Sequence, residues 1–263
     1  MEPESLIVWI IVFTALGGVL SALAAAAFLL LPERLRVRLL PWLVGFAIGT
    51  LLGASFLALL PEALEAKHGV EAREIGLTVL LGLLGFFLLE KMVLWRHCHT
   101  HDCEVHGSDI EHAKKVATGN LILIGDGIHN LVDGILIAAA FLTDIHLGIV
   151  TSMAVIAHEI PQELGDFAVL LHSGYSRAKA LIYNVLASLT TIVGGVVAYF
   201  SFSLAQAAVP YVLAIAASSF IYIAVADLIP GLHKRPELSA TMQQFSLIAL
   251  GIAVIFFTDS ALL

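Results

Sequence analysis

Asp126-Gly-Ile-His129-Asn130-Leu-Val-Asp133-Gly134 and His158-Glu159-Ile-Pro161-Gln162-Glu163-Leu-Gly165-Asp166 are two short polar runs set inside stretches otherwise apolar enough to cross a bilayer. Ionisable side chains at that depth are costly, and where they occur they mark function. Imidazole, carboxylate and amide groups on two neighbouring helices form a donor set suited to a divalent transition metal. The two runs therefore predict a metal site in the middle of an all-α membrane protein.

Composition leads to the same class. Hydrophobic residues make up 59% of the 263-residue chain and charged residues 13%, and the mean hydropathy is +0.96. Soluble domains run at about 45–50% apolar and about 25% charged. A membrane-spanning helix needs roughly 20 apolar residues, and the pattern predicts eight of them, near 5–31, 41–60, 75–95, 116–142, 146–172, 177–203, 208–230 and 239–260. The short connections leave one transmembrane domain, 1–263, with no soluble domain.

Basic residues orient the spans, because cytoplasmic loops carry the excess of Lys and Arg. Connections after spans one, three, five and seven hold Arg34, Arg36, Arg38, Lys91, Arg96, Lys114, Lys115, Arg177, Lys179, Lys234 and Arg235, whereas the opposite side holds Lys67 and Arg73. Both termini are thus expected outside the cytoplasm. The acidic start, Met1-Glu-Pro-Glu-Ser5, lacks the basic lead of a cleavable signal, so the first span is expected to be kept. The net charge of -8 gives no reason to expect nucleic-acid binding.

Helical spacing gathers the polar groups. Asp126, His129, Asn130 and Asp133 fall at i, i+3, i+4 and i+7, one stripe of a helix. In the next span His158, Glu159, Gln162, Glu163 and Asp166 form a second, broader stripe. A tight connection, Thr143-Asp-Ile-His-Leu147, makes the two spans antiparallel neighbours, and both stripes lie near the midplane. Facing stripes would enclose one cavity of inward-pointing donors. Asp126 and Asp166 suit a supporting role, orienting ligand side chains. Pro161 removes the hydrogen bond to the carbonyl of Ala157 and predicts a kink, while Gly125, Gly127, Gly134 and Gly165 predict close helix approach.

The paired runs His129-Asn130-x-x-Asp133-Gly134 and His158-Glu159-Ile-Pro161-x-Glu163-Leu-Gly165-Asp166-Phe167 resemble the signature of the ZIP (ZRT/IRT-like) family of metal-ion transporters. The likeness extends over essentially the whole chain, including eight spans with outward termini and a His-rich loop after span three. It implies that His129, Asp133, His158 and Gln162 ligate one central ion, and that Asn130 and Glu159, sharing Asp133, line an adjacent site. At position 162 this chain offers a neutral amide where close relatives often carry His or Glu. In span two, Ala54 and Ala58 stand where some members have an acidic residue and a His, so the outer relay through those positions is not expected.

Further residues are weaker candidates. Ser55 and Asp227 would belong to the outer and inner pathway. The cytoplasmic loop at about 96–115 holds His97, Cys98, His99, His101, Cys103 and His106, a compositional metal-binding tract that would deliver, buffer or sense metal. Thiols in that compartment stay reduced, so no disulfide is expected. Leu59-Leu-Pro61-Glu62 closes span two on one side and Leu228-Ile-Pro230-Gly231 closes span seven on the other. That hints at an inverted repeat of helices 1–3 and 6–8 around helices 4–5, a common plan for secondary transporters.

The expected function is transport of divalent metal into the cytoplasm, with Zn2+ first and Fe2+, Mn2+ or Cd2+ as other substrates, and with no resident cofactor. The expected setting is a bacterial-type inner membrane, with a homodimer implied by the family. The rival reading, an intramembrane zinc metalloprotease, starts from the His158-Glu159 pair. It lacks the second His of the H-E-x-x-H pattern, where Gln162 stands.

Overall fold

A computed structural model describes residues 3–65, 70–98, 108–202, 206–233 and 237–262. Among them the chain is entirely helical, in eight rods: α1 (3–28), α2 (Glu33–Glu65), α3 (Ala72–Cys98), α4 (Ser108–Thr143), α5 (Ile145–His172), α6 (Arg177–Phe202), α7 (Val209–Leu232) and α8 (Leu238–Leu262). Six of them, all but α3 and α5, contain described segments long and apolar enough to cross a membrane. In α5 the run from His158 to Asp166 interrupts the apolar sequence. This is a polytopic membrane architecture. α4 begins at Ser108, well before the span edge expected near 116, because Ser108–Lys115 continues the helix through a polar segment.

Large apolar side chains point outward along α3, α6 and α8, among them Leu84, Leu88, Val193, Phe200, Phe245 and Phe257. The interior is instead rich in small and polar residues, including the fully enclosed Ala138, Ala139, Ala140, Ser152 and Ser188. Lipid offers no hydrophobic drive for burying large residues, so close backbone approach and interhelical hydrogen bonds hold such bundles together.

α5 lies inside the bundle, packed on α1, α2, α4 and α6. Its connection to α4 is as short as a helical corner allows. Asp144 alone separates the two helices; it is extended (φ -155°, ψ 148°) and caps α5 by accepting from the backbone N–H groups of His146 and Leu147 at 2.7 and 3.3 Å. At the other end of α5, Gly174 takes φ 90°, the N–H of Tyr175 donates to the carbonyl of Leu170 at 3.1 Å and that of Gly174 to Leu171 at 3.1 Å, which closes the helix in a Schellman turn before α6. The helix runs unbroken through Pro161, which is buried.

α4 and α6 approach most tightly where Gly134 faces Thr191 and Gly194 faces Leu131. A Cβ on either glycine would run into a carbonyl oxygen of the opposite helix. Of the four glycines expected to permit close approach, Gly134 alone does so. Gly125 and Gly165 look into open space, and a Cβ at Gly127 would only touch the methyl of Thr190. Gly125 and Gly165 sit outside the helix interface, on faces that periodicity alone did not separate from it, while Gly127 meets α6 through its carbonyl, which accepts from Thr190 Oγ1 at 2.7 Å.

Three rods contain a π-helical turn: Leu16–Leu20 in α1, Ala54–Leu59 in α2 and Ile223–Leu228 in α7. Those of α2 and α7 are equal in length, and each is followed two residues later by a proline, Pro61 and Pro230. They also pack reciprocally, the π turn of each against the regular helix of the other. Such turns cluster at functional positions in helices.

Candidate metal centre

α4 and α5 bring four donors to one point. His129 and Asp133 stand one turn apart on α4, and His158 and Glu159 are adjacent on α5. One ligand atom from each falls within 4.8 Å of all the others. His158 Nε2 lies 3.1 Å from Asp133 Oδ2 and 3.7 Å from Glu159 Oε1. His129 Nε2 lies 3.6 Å from Asp133 Oδ2, 3.5 Å from Glu159 Oε1 and 3.4 Å from His158 Nε2. Atoms that would surround a cation as ligands are thus already convergent, two nitrogens and two oxygens.

Burial sharpens the chemistry. Asp133 and His158 are fully enclosed and Glu159 is 1% exposed, while the His129 side chain retains 19% exposure. Asp133 Oδ1 and both carboxylate oxygens of Glu159 have no hydrogen-bond partner. Buried polar atoms are normally satisfied, and those that are not call for a partner such as an ion. The His158 ring is also oriented for ligation: Nδ1 lies 2.9 Å from the carbonyl of Ala154, which can only accept, so this nitrogen donates and Nε2 is the one that faces the centre. Phe220 of α7 packs edge-on to the same ring at 5.8 Å between centroids, further fixing its plane.

A hydrogen-bonded collar surrounds these four. Asn130 donates to Asp126 Oδ1 at 2.8 Å, and its amide oxygen accepts from Thr191 Oγ1 of α6 at 2.7 Å. Both ends of the Asn130 amide are therefore engaged away from the four-donor group. Asp126 holds Asn130, and the orientation of His158 comes from a backbone carbonyl. Glu163 accepts from Ser188 Oγ at 2.6 Å, and its backbone carbonyl accepts from Asn184 at 3.3 Å. One oxygen each of Asp126 and Glu163 remains buried without a partner.

The other residues singled out in the sequence are distributed around this centre. Gln162 and Asp166 are half-buried on α5, one and two turns beyond His158. Ser55, fully enclosed in the π turn of α2, donates to the carbonyl of Leu51 at 2.8 Å and reaches that of Ala217 in α7 at 3.3 Å. Asp227 is exposed in the π turn of α7. His97 and Cys98 belong to the last turn of α3; His99, His101, Cys103 and His106 lie outside the described residues. Asn184, Ser188 and Thr191 were not singled out in the sequence. Their i, i+4, i+7 spacing was the available signal, since it puts them on one face of α6, the face that meets α4 and α5. No pattern in the sequence announced Phe220.

The family described as ZIP zinc transporter matches residues 5–109 and 95–259. Zinc transporter ZIP13 of Pongo abelii is 34% identical over 224 residues, covering 81% of this chain and 64% of that protein. Zinc transporter zipt-7.2 of Caenorhabditis elegans is 32% identical over 268 residues, covering 83% and 58% respectively, and human zinc transporter ZIP13 is 31% identical over 254 residues, covering 81% and 68%. The chain thus spans about three-fifths to two-thirds of the length of these relatives. With the paired motifs, the helical bundle and these matches on one sequence, the chain belongs to the ZIP zinc transporter family.

Proposed function

We propose that the protein moves divalent transition-metal ions, Zn2+ foremost, across a plasma membrane into the cytoplasm, using the centre between α4 and α5 as the transport site. The observation that carries this reading is the convergence of His129, Asp133, His158 and Glu159 within 4.8 Å. Gln162, Asn130 and Glu163 serve as neighbouring donors taken up as the ion moves. Borderline nitrogen and oxygen ligands without thiolate suit Zn2+, with Fe2+, Mn2+ and Cd2+ as other cargo. The relatives' printed names, all zinc transporters, support the same choice.

The eight helical rods support eight spans, and the distribution of Lys and Arg supports outward termini. The equal, reciprocally packed π turns of α2 and α7 support an inverted repeat of helices 1–3 and 6–8 around α4 and α5. An inward-negative potential contributes about 2.3 kcal/mol per charge per 100 mV and draws the cation inward. In this reading the bilayer and, by family likeness, a second copy of the chain are its partners, and the loop at 96–115 handles metal on the cytoplasmic side. The metalloprotease reading has no support, since Gln162 occupies the position its second imidazole requires.

Uptake of radiolabelled zinc, iron and manganese into proteoliposomes tests the proposal. Wild-type protein is expected to accumulate metal, and His129→Ala and His158→Ala to abolish accumulation; full uptake by both variants would remove the site assignment.

A further inference from the structure

A cleft of about 460 Å3 lies between the corner joining α1 to α2 and the corner joining α5 to α6. Leu30, Phe167, Leu171 and Leu181 give it apolar walls, and Arg36 and Arg177 supply its cationic groups. Arg36 is in the first turn of α2 and Arg177 opens α6, so two helices that are not sequence neighbours each place a guanidinium at one cleft. The Nε of Arg36 is enclosed and has no hydrogen-bond acceptor. Among the described residues, neither arginine forms an ion pair with a carboxylate. Arg34, Arg38 and Lys179 are exposed in the same two segments.

A buried donor without an acceptor is expensive, and a guanidinium is built for bidentate binding of a phosphate. Free phosphate would leave the apolar walls wet, whereas a phospholipid meets both requirements, with its headgroup on the arginines and a chain along the walls. Basic pockets between membrane helices on the cytoplasmic side take acidic headgroups for these reasons. We infer that this cleft binds one anionic phospholipid, its phosphate between Arg36 and Arg177 and an acyl chain against Leu30, Phe167 and Leu181. The bound lipid ties the α1–α2 corner to the α5–α6 corner, and α5 carries His158 and Glu159.

Native mass spectrometry of the purified full chain tests this, with phosphatidylglycerol and phosphatidylcholine of identical acyl chains supplied in equal amounts. Wild-type protein is expected to retain phosphatidylglycerol with a preference of about tenfold or more. Arg36→Gln combined with Arg177→Gln brings the two lipids to near parity, and Arg177→Gln alone, at an exposed position, lowers the preference part-way. Arg34→Gln with Lys179→Gln, changing exposed charges outside the cleft lining, leaves it intact. Zinc titration of the same samples reports whether the bundle is folded; should the double variant fail that check, the single variant decides. No preference in wild type, an unchanged preference in the cleft variants, or release of the lipid by inorganic phosphate would each overturn the inference.

Discussion

His158 Nε2 stands 3.1 Å from Asp133 Oδ2 across the α4–α5 interface, and the opposite ring nitrogen is committed to the carbonyl of Ala154. The pair is held from behind and open toward the centre, an arrangement that orients a ligand before the ion arrives. In the proposed site Asp133 brings one of the two carboxylates that would offset the charge of a dication in this low-dielectric setting. Asp133→Asn keeps the size and removes the charge. It is expected to weaken zinc binding by more than about 100-fold, beyond the usual cost of losing an outer-shell partner. Competition titration of purified protein against a zinc-sensitive dye reads this directly, and an unchanged affinity would exclude Asp133 as a ligand.

Thr191→Val isolates the contribution of the collar. The hydroxyl donates to Asn130 at 2.7 Å and does not belong to the four-donor group. Its loss frees the Asn130 amide from one of its two anchors; because Asn130 bonds none of the four donors, zinc affinity should drop by less than the about 10-fold expected on losing a ligand's own partner. The same titration compares it with Thr190→Val, whose hydroxyl bonds the backbone carbonyls of Gly127 and Ala187 and makes no contact with Asn130. The Thr190 variant is expected to bind zinc as wild type does.

Helix packing gives a third test. A side chain at Gly134 would meet the carbonyl of Thr191, whereas one at Gly125 meets nothing within 4 Å. Gly134→Val should cost about 1–3 kcal/mol through forced separation of α4 and α6. Gly125→Ala should be close to neutral. Thermal unfolding in detergent distinguishes them, and equal midpoints would contradict the close approach.

Acidity should oppose metal binding. Imidazole and carboxylate ligate only when deprotonated, so protons and zinc compete for the same atoms, and binding zinc releases protons. The sign is therefore fixed: affinity decreases as pH falls through the range in which the ligands protonate, and the protons released per zinc increase. Calorimetric titration in buffers of different ionisation enthalpy measures the released protons. Affinity that rises with acidity would contradict a His and carboxylate ligand set.

Much of this was legible in the sequence because the chemistry sits where lipid forbids it. His129, Asp133, His158 and Glu159 stand out against an apolar background, and helical periodicity is sufficient to put each pair on one face. The roles within that stripe were less visible. Asn130 shares the stripe with His129 and Asp133 but spends its amide on Asp126 and Thr191, because the choice between facing α5 and facing α6 depends on a rotation of α4 that periodicity does not supply. The π turns at Ala54–Leu59 and Ile223–Leu228 were invisible for a related reason. An extra residue in a turn has no composition of its own, and only the prolines that follow hinted at a relation between α2 and α7. Phe220 reaches His158 from a helix far away in sequence, through tertiary packing alone.

The most direct measurement is anomalous scattering at the zinc edge from crystals of the protein grown with zinc. A peak enclosed by His129, Asp133, His158 and Glu159 is the predicted result, and it should vanish in His158→Ala. A zinc peak confined to the His97–His106 segment, with nothing between α4 and α5, would contradict the assignment of the transport site.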